Sequence, residues 1–124
     1  HDIALQIDVP KGIIIQGDFG WLSEAIQNII KNCIESAGDN GKIEIVCTDN
    51  QLFTEIAIHD SGAGFEKGDL PCLFDRFYRG KNSSATGYGI GLALCKMIIT
   101  RQGGTITAKN HPQGGAIFDL RFPK

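Results

Sequence analysis

The residues in this chain most able to do chemistry are two asparagines, one aspartate and two runs of alternating glycines. Asn28 and Asn32 stand one helical turn apart, an aspartate opens the segment from Asp60 to Gly64, and the second glycine run extends from Gly87 to Gly91. Alternating glycines let backbone N–H groups approach an anion closely, and a helix beginning at Gly89 would direct its positive end at that anion. This pattern predicts a polyphosphate ligand.

The carboxylate and the amides extend this prediction to a nucleotide. Asp60 follows an apolar strand pattern, so it can accept a hydrogen bond from a purine amino group in a buried slot. An asparagine amide oxygen is a ligand for a hard cation such as magnesium. Taken singly, each feature has an ordinary alternative: a glycine run is more often a plain turn, and the polar stripe of Glu24, Asn28, Asn32 and Glu35 is more often solvated surface. Asparagine is a poor helix former, however, and two in mid-helix favour contact with a ligand.

The order of the motifs resembles that of the catalytic, ATP-binding domain of two-component sensor histidine kinases. That domain belongs to the superfamily that includes gyrase, heat-shock chaperone and mismatch-repair ATPases. The four matching motifs are, in chain order, Asn28 with Asn32, Asp60-x-Gly62-x-Gly64, Phe74-Asp75-Arg76-Phe77-Tyr78-Arg79 and Gly87-x-Gly89-x-Gly91-Leu92. The resemblance covers nearly the whole chain and implies the Bergerat-type ATP-binding fold of that superfamily.

The resemblance also implies a role for individual residues. Asn32 would hold the magnesium ion that bridges the phosphates, Asp60 would bond the adenine amino group, and Arg79 would reach the terminal phosphate from a mobile lid. The other positions expected to contact the nucleotide are Gly62, Gly64, Phe74, Phe77, Lys81, Gly87, Tyr88, Gly89, Ile90, Gly91 and Leu92.

The basic segment from Arg76 to Lys81 has two interpretations from its residues alone. It is either a solvated basic loop or part of a lid that neutralises charge on a transferred phosphoryl group, and its neighbours favour the lid. Phe74 and Phe77 would then anchor the lid on the body of the domain, although they fit a small hydrophobic cluster equally well.

Asn28 separates two kinds of chemistry. In the gyrase, chaperone and mismatch-repair ATPases that this chain resembles, the residue one turn before the magnesium asparagine is a glutamate that activates water. An amide accepts a proton poorly, so we expect a domain that positions ATP without hydrolysing it, as histidine kinases do. An ATP-driven conformational switch and a degenerate nucleotide-binding scaffold are the alternatives.

Two positions depart from the family pattern beside the magnesium asparagine. Glu35 stands where many of these kinases have lysine, and Ser36 where many have an aromatic residue. Glu35 would either repel the triphosphate or point to solvent, and the sequence does not decide between these. Glu35 is also the feature that suggests a degenerate scaffold.

Composition is consistent with a single domain over residues 1–124 that is not inserted in a membrane. The net charge of −2 gives no attraction for nucleic acid, no apolar run approaches the roughly 18 residues of a membrane helix, and the N-terminus lacks a signal-peptide pattern. The four cysteines show no CxxC spacing, which favours reduced thiols and a cytoplasmic location, as in the cytoplasmic part of a membrane-bound sensor kinase.

None of the three histidines fits a phosphoacceptor. In the kinases that the chain resembles, that histidine lies on a dimerising helical hairpin ahead of the catalytic domain, so we interpret the chain as a fragment of a longer kinase. The expected partners are therefore the dimerisation and phosphoacceptor domain of the same kinase and a response regulator.

Hydrophobic periodicity predicts an α/β two-layer sandwich, a mixed sheet with helices on one face. The predicted strands cover residues 3–9, 13–15, 42–48, 52–59, 105–109 and 116–122, and the predicted helices run from Phe19, capped by Asp18, to Ala37 and from about Gly89 to Gln102. A long irregular segment between about Glu66 and Thr86 is the expected lid.

Overall fold

The computed structural model describes residues 3–13, 15, 17–75 and 88–124, and for residues 88–90 it describes the backbone alone. In chain order the elements are β1 (Ala4–Asp8), α1 (Phe19–Ala37), β2 (Lys42–Asp49), β3 (Phe53–Asp60), a short 3₁₀ helix (Leu70–Cys72), α2 (Tyr88–Arg101), β4 (Thr105–Asn110) and β5 (Ala116–Pro123). Apart from the predicted strand at 13–15, each predicted strand and helix appears within about two residues of its expected bounds.

The five strands of the described residues form one mixed sheet in the order β1-β2-β3-β5-β4. β1 runs parallel to β2, and the remaining neighbours are antiparallel. Along β3 the side chains alternate between a buried and a half-buried face, so Thr54, Ile56, Ile58 and Asp60 all lie on the helical side. The strand therefore carries Asp60 to the edge of the core, at the end of an otherwise apolar row.

Both helices pack on one face of the sheet and against each other. α1 lies on β2 and β3, and α2 lies on β4. The fully buried side chains at their interface with the sheet include Ile29 and Cys33 of α1, Ile99 of α2, and Ile58, Phe118 and Leu120 of the sheet. The predicted two-layer sandwich is confirmed.

The ends of α1 follow from its sequence. The side chain of Asp18 accepts a hydrogen bond of 3.0 Å from the backbone N–H of Trp21, as an N-cap residue does. At the other end Gly38 has a φ of 71°, a conformation that glycine adopts without steric cost, and the helix ends there. The helix is therefore fixed at both ends around Asn28 and Asn32.

The first strand differs from its prediction. β1 forms, but Leu5 and Ile7 are each 58% exposed rather than half-buried. Their register with Ile43 and Ile45 puts them on the helical face of the sheet. They stay exposed because α1 lies over β2 and β3 and no helix in the described part of the chain covers β1. The strand predicted at 13–15 is absent, since the described residues Ile13 and Ile15 belong to no strand.

Candidate nucleotide-binding site

The two asparagines of α1 do not lie in a uniformly solvated stripe. Asn32 is 9% exposed and Asn28 is half-buried, whereas Glu24 and Glu35 at the ends of the stripe are exposed. The interpretation of the stripe as ordinary surface is therefore wrong for Asn32. Within the described residues the Asn32 amide makes no side-chain hydrogen bond, so its oxygen is available to a ligand.

Asp60 is almost completely buried at the end of β3, with 1% of its surface exposed. Its Oδ1 accepts a hydrogen bond of 2.8 Å from the N–H of Gly62 and a longer one of 3.4 Å from the N–H of Ala116. Burial raises the pKa of the Asp60 carboxyl, although these two backbone donors oppose the shift. The result is a buried acceptor held at a fixed position.

The α1 residue that follows Asn32 reaches the same carboxylate. Cys33 is fully buried, and its thiol lies beside Asp60. Burial, together with the negative charge of Asp60, raises the pKa of the Cys33 thiol well above its usual range. The thiol therefore stays protonated, and it can act as a weak donor to Asp60. Because Asn32 and Cys33 are consecutive, this contact also brings the Asn32 backbone close to the Asp60 turn.

Glycine is required at two positions of the turn that follows Asp60. A Cβ atom at Gly62 would overlap the side chain and the carbonyl of Ser36 on α1, so only glycine lets the turn lie against the helix. Gly64 has a φ of 80°, and a Cβ there would approach within 2.6 Å of Asn110 Oδ1. The small side chain of Ser36, noted above as a departure from the family pattern, accommodates this packing.

The β4–β5 connection completes the wall behind Asp60. Gly115, with a φ of 85°, packs so closely on the Asp60 carbonyl that a Cβ would overlap it. The next residue, Ala116, supplies the N–H that reaches the Asp60 carboxylate. Sequence analysis missed the contributions of Cys33, Asn110 and Gly115, because each depends on a contact between segments far apart in the chain.

The helices α1 and α2 run antiparallel in a register that can be read from two contacts. The thiol of Cys95 donates to the carbonyl of Ala25 at 3.3 Å, and seven residues further on Gln102 Oε1 accepts from the N–H of Asp18 at 2.8 Å. The same register continued in the other direction pairs the beginning of α2 with Asn32. The positive end of the α2 dipole therefore lies at the level of Asn32.

Of the glycines at the beginning of α2, Gly91 is the one whose surroundings the structure describes. Gly89 and Gly91 both lie within the helix. A Cβ at Gly91 would meet no atom within 4 Å, so packing among the described residues does not require glycine there. Leu92, in contrast, is fully buried and packs in the hydrophobic core. The open space at Gly91 is compatible with the approach of a ligand to the backbone.

Part of the predicted site lies outside the described residues. This applies to Arg79, Phe77, Lys81 and Gly87, and to the side chains of Tyr88 and Ile90. Phe74 is described: it is half-buried, packs against the hydrophobic core and has Lys96 Nζ 5.8 Å from its ring centroid. Its predicted function as an apolar anchor is consistent with this packing.

Two other predictions can be compared with the described part of the chain. All four cysteines are free, and Cys33, Cys47 and Cys95 are buried, which confirms the prediction of reduced thiols. None of the described helices is both long and apolar enough to span a membrane. The described residues contain no group of three His, Cys, Asp or Glu side chains able to hold a metal ion.

Comparison with known proteins identifies a family for the chain. Residues 17–124 match the model of histidine kinase-, DNA gyrase B- and HSP90-like ATPases. The chain is 36% identical over 122 residues to the sensor-type histidine kinase PrrB of Mycobacterium tuberculosis, and 33% identical over 122 residues to the sensor protein KdpD of Escherichia coli. These alignments cover 98% and 97% of this chain but only 27% and 14% of the relatives, so it spans well under a third of either protein.

The fold is shared with solved structures of the same kind. The catalytic domain of the histidine kinase ThkA matches with a TM-score of 0.82 and 27% identity, over 99% of this chain and 80% of that domain. ThkA is also known in complex with the response regulator protein TrrA, where the match covers 34% of the ThkA chain with a TM-score of 0.79. From its buried aspartate, its asparagine helix and the family match over residues 17–124, this chain belongs to the histidine kinase-, DNA gyrase B- and HSP90-like ATPase family.

Proposed function

We propose that this domain binds magnesium ATP and donates the γ-phosphoryl group to a histidine on a separate dimerisation and phosphoacceptor domain. A response-regulator aspartate would be the final acceptor. The similarity to PrrB, KdpD and ThkA supports a kinase, and the ThkA complex with TrrA supports the response regulator as a partner. Residues 1–124 would act as one domain in the cytoplasm, an environment in which the four free thiols remain reduced.

The observation that carries this proposal is the absence of a carboxylate where a hydrolase needs one. Asn28 occupies the position one turn before Asn32 and is half-buried. The two acidic residues of α1, Glu24 and Glu35, are both exposed. An amide cannot serve as the general base for water, so α1 can position ATP without activating its hydrolysis.

Different residues of the site would contact different parts of the nucleotide. Asp60 would accept a hydrogen bond from the adenine amino group, because its carboxylate is buried and oriented by Gly62 and Ala116. The Asn32 amide oxygen would hold magnesium, which would supply positive charge to the bridging phosphates. The N-terminal turn of α2 would supply backbone N–H groups to the same phosphates.

Phosphoryl transfer depends chiefly on positioning and on neutralising charge, and this site is suited to both. Arg79, outside the described residues, would contribute positive charge at the terminal phosphate. The exposed position of Glu35 favours a side chain that points to solvent and does not repel the triphosphate, so the degenerate-scaffold alternative loses its main support. The switch-ATPase alternative is disfavoured by Asn28.

The experiment compares two preparations. The isolated domain should bind magnesium ATP but turn it over near the background rate, since it contains neither a base for water nor the phosphoacceptor histidine. The full-length parent kinase, supplied with ATP labelled in the γ-phosphate, should form an acid-labile, alkali-stable phosphohistidine. Steady ATP turnover by the isolated domain would overturn the kinase proposal in favour of the ATPase switch, and absence of ATP binding would overturn both.

A further inference from the structure

Two histidines far apart in the chain stack on each other directly behind the candidate adenine site. The rings of His59 and His111 have centroids 4.3 Å apart and planes inclined by 14°. His59 precedes Asp60 in β3, with its side chain on the face away from the helices, and His111 lies in the β4–β5 connection. No part of the proposed phosphoryl-transfer chemistry uses either imidazole.

Hydrogen bonds fix which ring nitrogens carry protons. His111 Nδ1 lies 3.0 Å from the N–H of Gln113 and accepts from it, so this nitrogen is unprotonated. His59 Nε2 lies 3.1 Å from the carbonyl oxygen of Gly114, which can only accept, so this nitrogen carries a proton. The structure therefore contains a neutral His111 stacked on a His59 that donates to the turn.

The same turn holds Asp60. The N–H of His111 donates to the carbonyl of Gly115 at 2.8 Å, and the N–H of Gly114 donates to the carbonyl of His111 at 3.0 Å. Gly115 packs directly on the backbone of Asp60, and Ala116 donates to its carboxylate. A movement of the histidine stack therefore acts on a turn that leads directly to Gly115 and Ala116, the residues that contact Asp60.

We propose that the His59–His111 stack is a pH-sensitive positioning element of the nucleotide site, in which the neutral pair holds the β4–β5 turn against Asp60 and protonation of both rings releases it. The proposal rests on the nucleotide-binding function proposed above. Two imidazolium rings in contact repel each other, and protonation at His111 Nδ1 removes the acceptor for the N–H of Gln113. Acidification that charges both rings therefore strains the turn.

The charged groups around the pair affect the two rings differently. Across the β2–β3 ladder Glu44 is the direct partner of His59, and across the β3–β5 ladder the partner is the uncharged Ile117. Lys109 lies one strand further, opposite Ile117 on β4. The carboxyl of Asp60 is on the other face of the sheet, but its negative charge interacts favourably with a positive charge on His59. Glu44 and the carbonyl of Gly114 both stabilise a positive charge on His59, whereas a charge on His111 removes the acceptor for the N–H of Gln113 and disrupts the turn.

Two variants of His111 separate its charge from its structural role. His111→Asn keeps a side-chain oxygen able to accept from the N–H two residues on, as in an Asx turn, but it has no group that becomes charged between pH 5 and 8. His111→Phe keeps an aromatic ring against His59 and is also uncharged. His1→Gln, which removes a histidine outside the pair, is the control.

The first measurement is the affinity for a non-hydrolysable ATP analogue with magnesium, by calorimetry at pH 8.0 and 5.5. The ratio of the dissociation constant at pH 5.5 to that at pH 8.0 should be about tenfold larger for the wild type and His1→Gln than for either His111 variant. A tenfold difference is equivalent to one pKa unit of coupling. Titration of the ligand phosphates and of Asp60 is common to all four proteins and cancels in this comparison. Equal ratios in all four would overturn the proposal while leaving the nucleotide site intact.

The second measurement needs no nucleotide. In the wild type, the NMR signals of the backbone N–H groups of Gln113, Gly115 and Ala116 should shift between pH 8.0 and pH 5.5, and in His111→Asn these shifts should be much smaller, because residue 111 then gains no charge. Equal shifts in the wild type and in His111→Asn would overturn the proposal. Failure of the wild type to bind the analogue at pH 8.0 would overturn the nucleotide site and this proposal together. That outcome differs from equal pH ratios in all four proteins, which would overturn this proposal alone.

Discussion

The side chain of Asn110 forms two hydrogen bonds of 2.7 Å with the backbone of Phe65. Asn110 Oδ1 accepts from the N–H of Phe65, and Asn110 Nδ2 donates to its carbonyl. This pairing joins the last residue of β4 to the end of the segment that begins at Asp60. The turn over the candidate adenine site is therefore closed at one end by the buried Asp60 and at the other by Asn110.

Replacement of Asn110 by alanine should loosen this turn. Both hydrogen bonds are lost, and since the side chain is exposed we expect the free energy of unfolding to fall by about 1 kcal/mol. ATP affinity should fall as well, because Gly62 and Gly64 are no longer fixed. Urea denaturation and calorimetry measure the two effects. Lys109→Ala, an exposed neighbour on the same strand, is the matched control, and an equal loss of ATP affinity in that variant would contradict a specific role for Asn110.

Asp60→Asn should weaken ATP binding and change how the free energy of unfolding depends on pH. An amide cannot give the adenine amino group a charge-assisted hydrogen bond, so ATP binding should weaken by roughly 1.5 to 3 kcal/mol. Since burial raises the pKa of Asp60 in the folded state, the free energy of unfolding of the wild type should fall as the pH rises from the ordinary value of 3.8 through the raised pKa. The variant lacks this contribution.

Urea denaturation at pH 4 and pH 7 tests the stability part of this prediction. The variant should lose less stability than the wild type between the two pH values, because it has no buried carboxyl to ionise. It should also retain an oxygen that accepts from the N–H of Gly62. A variant that binds ATP as well as the wild type does, with its fold intact, would remove Asp60 from the adenine site.

The cysteines should differ in reactivity according to their burial. Burial raises the pKa of Cys95 to about 12 and that of Cys33 further still. Because the thiolate is the nucleophile, neither should react with a disulfide reagent at pH 8 in the folded protein, whereas the half-buried Cys72 should react first. Mass spectrometry of the labelled peptides identifies the sites. Fast modification of Cys33 in the native domain would show that the wall behind Asp60 opens readily.

Local signals were sufficient to predict most of the elements. The apolar spacing from Phe19 to Ala37, with Asp18 before it and Gly38 after it, determines α1 without reference to the rest of the chain. The alternation on either side of residues 49–51 likewise predicts the β2–β3 hairpin, whose turn in the structure is residues 50–52. The exposure of β1 was not predictable in this way, because an alternating pattern gives the face of a side chain but not whether another element covers that face.

The candidate site could be predicted only in part, because some of its residues act through contacts with distant segments of the chain. Asn32 and Asp60 carry their chemistry in their own side chains, so their types and spacing were sufficient to propose them as site residues. Asn110 and His111 act through contacts with Phe65 and His59, which are 45 and 52 positions earlier in the chain. In sequence they look like ordinary turn residues, and only the antiparallel pairing of β5 with both β3 and β4 brings them to the site.

The magnesium proposal predicts that the effect of changing Asn32 depends on the metal. Asn32 is buried, and its amide has no side-chain partner in the described part of the chain, so its oxygen is free to act as a ligand. Asn32→Ala should therefore lower ATP affinity strongly in the presence of magnesium and much less in EDTA. Calorimetry under both conditions gives the two ratios of wild-type to variant affinity.

Asn28→Ala provides the matched control for this experiment, since it removes an amide one turn away on the same helix. Its effect on ATP affinity should be similar with and without magnesium, because we assign no metal contact to Asn28. Asn32→Asp should bind magnesium alone more tightly than the wild type does, as a carboxylate is a stronger ligand for a hard cation than an amide. If Asn32→Ala weakened ATP binding equally with magnesium and in EDTA, Asn32 would be either structural or in direct contact with the nucleotide, and the metal assignment would be wrong.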